Sequence, residues 1–150
     1  MKSDGLTGEV GSAYKVGHSA AINRFIIIDD DPLSNLICKL TLDVALGNTT
    51  VEMFASGEEG LNYFKSLSEC ATIEPSILLL DINMPVMSGW EFLSRFDDLP
   101  EMLKRNIKIY ILSSSVDPRD RERSYSNKNV KNHFVKPLTI EVIKAIVLEI

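Results

Sequence analysis

An unbroken apolar run, Ile77-Leu78-Leu79-Leu80, ends at Asp81 and passes into Ile82-Asn83-Met84-Pro85-Val86-Met87-Ser88-Gly89. Consecutive apolar residues without polar alternation read as a strand buried on both faces, the condition of a parallel sheet covered by helices on each side. A second run, Phe25-Ile26-Ile27-Ile28, ends in the same way in Asp29-Asp30-Asp31. Two such strands side by side bring three or four carboxylates to the carboxyl edge of the sheet, which is the edge where ligands bind in open α/β folds. Acids gathered that closely need a cation.

The rest of the chain alternates strand and helix five times. The first strand, about residues 24–28, is followed by Pro32 as a helix-opening residue with Asp31 as its N-cap. Leu33, Leu36, Ile37, Leu40 and Val44 recur at helical spacing and predict the inner face of the first helix, which Gly47 closes. Thr49 to Phe54 is β-prone, and Ser56-Gly57-Glu58-Glu59 is a capping box opening a helix that buries Leu61, Phe64 and Leu67. Ser88-Gly89-Trp90-Glu91 is a second capping box, with Phe92, Leu93 and Phe96 facing inward and Trp90 read as a packing residue. Ile107 to Leu112 is the fourth strand. Asp117-Pro118 opens a polar fourth helix whose one large apolar residue is Tyr125, so weak packing is expected there. His133 to Val135 is the fifth strand, and Ile140, Ile143, Ile146, Val147 and Ile150 stripe the final helix. Strands alternating with helices imply a parallel sheet with right-handed crossovers.

Composition narrows the functional classes. A chain of 150 residues, 45% hydrophobic and 25% charged, fits one domain, here residues 22–150, after a loose Gly- and Ser-containing arm over residues 1–21. The net charge of −5 and the interleaving of Arg119, Arg121 and Arg123 with Asp120 and Glu122 argue against direct nucleic-acid binding. Cys38 and Cys70 lack metal-site spacing and read as reduced, buried thiols of a cytoplasmic protein. His18 and His133 are too few and too far apart for a zinc site. No apolar stretch reaches membrane-spanning length, and residues 1–21 lack the apolar segment of a secretory signal.

Two more strand ends matter to the chemistry. The fourth strand runs into Ser113-Ser114-Ser115, and the fifth into Lys136-Pro137. Acid pair, lone acid, hydroxyl and ammonium each sit at the end of a different strand, and a parallel sheet converges them. That set suits phosphoryl transfer, with a carboxylate nucleophile, acids for Mg²⁺, and a hydroxyl and an ammonium for phosphoryl oxygens.

These residues make the chain similar to the receiver domain of two-component response regulators, of the chemotaxis-receiver type, over about residues 23–150. The resemblance rests on Ile28-Asp29-Asp30-Asp31-Pro32, on Asp81 with Met84, Pro85, Met87, Gly89 and Glu91, on Leu112-Ser113-Ser114, and on Lys136-Pro137, in that order. It implies a flavodoxin-like (βα)5 three-layer sandwich of sheet order 2-1-3-4-5, the order that general descriptions of such folds already give for this family. It further implies Asp81 as phosphoacceptor, Asp30 as a direct Mg²⁺ ligand, and Asp29 as a ligand directly or through water. Asp81 and the backbone carbonyl of Asn83 would supply two more oxygens. Lys136 would pair with Asp81 and then with a phosphoryl oxygen, Ser113 would donate to the phosphoryl group, and a cis Lys136–Pro137 bond is expected. Positions Asn83 and Ser115 tune phosphoryl lifetime in the family. His133 stands where the family carries an aromatic switch residue, and its smaller imidazole titrates near neutral pH.

The implied function is a phosphorylation-dependent signalling switch. It would be charged by a histidine kinase or phosphotransfer protein, or by a small phosphodonor, and would catalyse only phosphoryl transfer to, and hydrolysis from, its own Asp81. The message is expected to leave through the surface of the fourth helix, fifth strand and fifth helix, without a fused output domain, toward another protein or a second copy in a homodimer. Two alternatives stand beside this one. The Asp29-Asp30-Asp31 run contains the Asp-x-Asp of a haloacid-dehalogenase-type phosphohydrolase with Asp29 as nucleophile, although Leu33 stands where that family wants Thr or Val. The other alternative is a receiver-shaped interaction module that is never phosphorylated, which the joint presence of Asp30, Asp81, Ser113 and Lys136 weighs against.

Overall fold

The computed structural model describes residues 22–149, so the arm expected over residues 1–21, and Ile150, lie outside the described residues. Five strands, β1 (Arg24–Ile28), β2 (Thr50–Phe54), β3 (Ser76–Leu80), β4 (Ile107–Ser113) and β5 (Val130–Val135), form one sheet. Every pairing is parallel and the spatial order is β2-β1-β3-β4-β5, as expected. Six helices connect or follow them: α1 (Pro32–Leu46), α2 (Gly57–Leu67), α3 (Gly89–Phe96), α4 (Glu101–Asn106), α5 (Pro118–Ser126) and α6 (Ile140–Leu148). The short α4 was not anticipated. It buries only Leu103, so no periodic stripe announces it.

Period-two alternation in the central strands divides two cores. Ile26, Ile28, Leu78, Leu80, Ile109 and Ile111 face α2 and α3, meeting Phe64, Phe92 and Phe96. Phe25, Ile27, Ile77, Leu79, Tyr110 and Leu112 face the other way, toward Cys38 and Leu42 of α1 and Ile143 and Ile146 of α6. Every side chain of β3 is buried, which is why its sequence shows no polar alternation.

Helix α1 is rotated relative to expectation. Its buried residues are Cys38 and Leu42, with Ala45 packed against them, whereas Leu33, Leu36, Ile37, Leu40 and Val44 are exposed. The helix carries two apolar stripes, and tertiary contacts at its start choose between them. Asp29 Oδ1 accepts from the Asp31 N–H at 3.0 Å, and Asn35 Nδ2 donates to the Asp29 carbonyl at 3.0 Å, which turns the Asn35, Cys38 and Leu42 side toward the sheet. Cysteine usage also divides: Cys38 is buried, with burial pushing its thiol up to about 11, while Cys70 is exposed, contrary to the expectation that both are buried.

The remaining elements follow their sequence signals. Asp31 caps α1 by accepting from the Leu33 N–H, and Ser56 and Ser88 accept from Glu59 and Glu91 N–H groups. α5 is polar as expected, with Tyr125 exposed and Ser124 its one buried residue. α5 lies beside α3, where the Arg123 guanidinium stacks 4.6 Å from the centre of the half-buried Trp90 ring. β5 begins at Val130, three residues earlier than its apolar pattern suggested, because Lys131 and Asn132 complete a strand whose backbone alone pairs with β4.

The orientation of α1 is open to direct test. Leu42→Ala should cost about 3 kcal/mol in denaturant unfolding, and Leu40→Ala should stay within about 0.5 kcal/mol of the wild type. Similar losses at the two positions would contradict the rotation described.

Candidate functional site

Backbone bonds at the carboxyl edge of the sheet place the expected residues. The Asp29 N–H donates to the Phe54 carbonyl at 3.1 Å, the Asp81 N–H to the Ile28 carbonyl at 3.0 Å, and the Lys136 N–H to the Ser113 carbonyl at 2.9 Å. Each is a continuation of a parallel ladder by one residue, so side chains from four strands converge with little freedom. Gly89 closes the floor: a Cβ there would fall 2.6 Å from the Asp81 carbonyl oxygen and 2.6 Å from the Ile82 Cα, so only glycine lets α3 begin this near the acid. The Lys136–Pro137 peptide is cis, as the resemblance implies.

Carboxylate oxygens of Asp29, Asp30 and Asp81 lie within 4.8 Å of one another, with Asp29 and Asp81 buried and Asp30 exposed. The set consists of hard oxygen donors with one side open to water, and this fits a magnesium-sized cation that keeps part of its hydration. Lys136 offsets part of the charge. Its Nζ pairs with Asp81 Oδ2 at 3.5 Å, the expected partner, and donates at 2.6 Å to Asp29 Oδ2, a closer partner that the sequence did not announce. Each acid also accepts a backbone N–H through Oδ1, Asp81 from Asn83 at 3.1 Å and Asp29 from Asp31 at 3.0 Å. Burial raises the Asp81 carboxyl above the ordinary aspartate value, aided by the Asp29 charge and opposed by the Asn83 N–H and Lys136. Burial pulls the Lys136 ammonium down, but the hydrogen bond to Asp29 and the charge of Asp81 outweigh it, leaving the group raised and protonated.

The hydroxyl side of the site is a chain of hydrogen bonds. Ser113 Oγ accepts from Asn83 Nδ2 at 3.3 Å and from the Ser115 N–H at 3.1 Å. Ser115 Oγ donates to Asp120 Oδ2 at 2.6 Å, which ties the β4–α5 loop to α5. Ser124 Oγ donates to the Asp120 carbonyl at 2.9 Å and lies 2.8 Å from His133 Nδ1. His133 points inward, 3% exposed, with Nε2 lacking a hydrogen-bond partner among the described residues. Burial and the Arg121 charge, opposed by Asp120, hold its imidazole below the usual histidine range, which favours the neutral ring. The geometry thus brings together Asp29, Asp30, Asp81, Asn83, Ser113 and Lys136, while His133 sits apart on the far side of the Ser113–Ser124 chain. Sequence reasoning missed Asn35 and Ser124; each is a lone polar residue in a helix, and only its tertiary partner gives it a role.

Val86 marks strain beside the acids. It is 99% exposed with φ at 66°, and the Met87 N–H closes a tight turn onto the Pro85 carbonyl at 2.7 Å. A β-branched residue in that region costs on the order of 1–3 kcal/mol.

Residues 25–148 match the family described as "Response regulator receiver domain". Curated relatives include the probable methanogenesis regulatory protein FilR2 of Methanothrix harundinacea, 31% identical over 67% of this chain and 63% of that one. Another is the probable C4-dicarboxylate response regulator DctR of Halalkalibacterium halodurans, 27% identical over 81% of this chain and 48% of that one. The chain therefore spans less than two thirds of the length of these relatives. Among solved structures, a two-component response regulator from Cytophaga hutchinsonii superposes with a TM-score of 0.79 at 28% identity, covering 86% of this chain and 96% of that one. A response regulator receiver protein from Dyadobacter fermentans gives a TM-score of 0.75 at 28% identity, covering 84% and 95%. No helix among the described residues is long and apolar enough to cross a membrane.

Because the Asp81 value is raised in the fold, its ionised form destabilises the native state above that value, and the cost disappears once pH falls below the unfolded value near 4. Asp81→Asn should accordingly stabilise the protein at pH 7, with the gain fading toward pH 4. Urea titrations at both pH values measure the difference, and an unchanged or reduced midpoint at pH 7 would contradict it. On the hydroxyl side, Ser124→Ala strands buried His133 Nδ1 and should cost about 1–3 kcal/mol, whereas Ser126→Ala on the exposed face should cost little.

Proposed function

The chain belongs to the response regulator receiver domain family, and on that premise we propose that it is a signalling switch charged by transfer of a phosphoryl group to Asp81. The observation that carries the reading is the meeting of Asp29, Asp30 and Asp81 oxygens within 4.8 Å, with the Lys136 ammonium 3.5 Å from Asp81. Asp29 is engaged by Lys136 and by the Asp31 N–H, while Asp81 Oδ2 has only the longer ammonium contact, which favours Asp81 as nucleophile over Asp29.

In this reading an Asp81 oxygen attacks phosphorus, the bond from phosphorus to the donor's leaving atom breaks, and an acyl phosphate remains on the protein. The donor is a histidine kinase, a phosphotransfer protein or a small acyl phosphate. Asp29, Asp30, Asp81 and the Asn83 carbonyl would hold Mg²⁺, which when bound neutralises charge on the incoming phosphoryl oxygens. Lys136 donates to one phosphoryl oxygen and the Ser113 hydroxyl to another. Hydrolysis of the acyl phosphate restores Asp81.

Charging adds roughly −1.5 to −2 charges and three acceptor oxygens beside Ser113. Turning the Ser113 hydroxyl toward them competes with its bonds to Asn83 and Ser115, and the Ser115–Asp120 and Ser124–His133 contacts lead from there into α5 and β5. The α5–β5–α6 surface is then the face read by a downstream protein, with His133 as its internal switch residue.

Incubation with acetyl phosphate and Mg²⁺, followed by intact-mass and peptide mapping, tests the assignment. One phosphoryl group on Asp81 is expected, absent in Asp81→Asn and on metal chelation, and slowed roughly 100-fold or more in Ser113→Ala. Label on Asp29 with turnover of phosphate esters would point to a phosphohydrolase, and no label at all to an unphosphorylated module.

A further inference from the structure

Cations from two separate stretches of the chain meet at the amino edge of the sheet, the end opposite the acids. Lys104 and Arg105 from α4, Lys108 at the start of β4, Lys128 from the loop after α5 and Lys131 in β5 line a groove of about 270 Å³. Glu101 is the one acid in that lining and Ile107 the one apolar residue. In a chain of net charge −5, this groove gathers five cations against one acid, and a cleft lined by one sign of charge concentrates its counter-ion. We propose that the groove binds a compact ligand of two or three linked phosphates, held by Arg105, Lys108 and Lys131 between the ammoniums of Lys104 and Lys128.

Two observations separate the groove from a solvated lysine face. The first is that its walls are tied together. Asp97, just past the end of α3, stands with Oδ1 3.5 Å from the Lys104 ammonium and 3.4 Å from the Lys128 ammonium, and the same oxygen accepts from Asn129 Nδ2 at 3.1 Å. Lys104 also donates to the Asp97 carbonyl at 2.8 Å. The α4 wall and the α5–β5 wall are thus fixed around one oxyanion, so a ligand meets cations that are already gathered. The second is a bulge. Val130 pairs with Ile109 and Asn132 with Tyr110, so Lys131 is an extra residue with no partner across β4. Bulges are uncommon between parallel strands and re-aim a side chain, here one that lines the groove. Lys104 and Lys128 have acid partners, whereas Arg105, Lys108 and Lys131 have none among the described residues.

The lining also selects the ligand. It holds no aromatic ring on which a base could stack, which disfavours single-stranded nucleic acid, and Ile107 alone gives a protein partner no apolar anchor. Recognition therefore rests on charge. The volume falls below the roughly 300–1,000 Å³ of drug-sized pockets and suits a short phosphate chain. Arg105 presents a planar fork to two phosphoryl oxygens, and the lysines act as point charges.

Amide NMR titration of the full chain with inorganic triphosphate, in about 50 mM salt with EDTA and no Mg²⁺, tests the site. Shifts should centre on residues 101–108 and 127–132, with a sub-millimolar Kd that weakens at least about threefold when salt is raised to about 200 mM. Arg105→Ala and Lys131→Ala should each weaken binding at least about fivefold with unfolding midpoints near wild type. Lys144→Ala, the same change of charge on α6, should leave it unchanged. Adenosine triphosphate should bind no more tightly than triphosphate, because the groove reads phosphates alone. Absence of shifts at millimolar triphosphate, shifts centred on the acid edge, or equal weakening by Lys144→Ala overturns the proposal. So does a tenfold preference for adenosine triphosphate, which would mean that a base is read, or tighter binding of duplex DNA, which would make the groove part of a nucleic-acid surface. These readouts do not involve Asp81 and stand apart from its labelling.

Discussion

Crowding of negative charge at one sheet edge governs the rest of this structure. Two buried carboxylates and an exposed third cannot share that volume on their own, and the Lys136 ammonium, 2.6 Å from Asp29, is the one cation the described residues place among them. One positive charge against three acids leaves the cluster short of cations. Burial keeps Asp81 reluctant to ionise, and a divalent ion would relieve both deficits.

The same scarcity organises the hydrogen bonds. Ser113 is a shared acceptor for the Asn83 amide and the Ser115 N–H. Beyond it, Ser115, Asp120, Ser124 and His133 form discrete, directional contacts in place of apolar packing. α5, which buries only Ser124, is held by these bonds more than by a hydrophobic face. α2 and α3, by contrast, are anchored by the buried aromatics Phe64, Phe92 and Phe96.

Much of this was legible in the linear chain because each signal is local. Apolar runs that end in Asp29, Asp81, Ser113 and Lys136 announce both a parallel sheet and its functional edge, since a strand buried on both faces must shed its polar chemistry at its end. Caps at Asp31, Ser56 and Ser88 mark three helix starts for equally local reasons. Legibility fails where two local answers are equally good. Helix α1 carries two apolar stripes, and α4 carries none.

From sequence alone follow the five-strand alternation, the family resemblance and the identity of the residues at the sheet edge, because periodicity, capping and strand termination act over a few neighbouring residues. Tertiary structure decided that Lys136 leans on Asp29 more than on Asp81, that Ser124 meets His133, and that Leu33, Ile37, Leu40 and Val44 look outward. Those outcomes depend on which groups arrive together from distant parts of the chain, and competition for a shared donor, acceptor or buried face is resolved only when all the competitors are present.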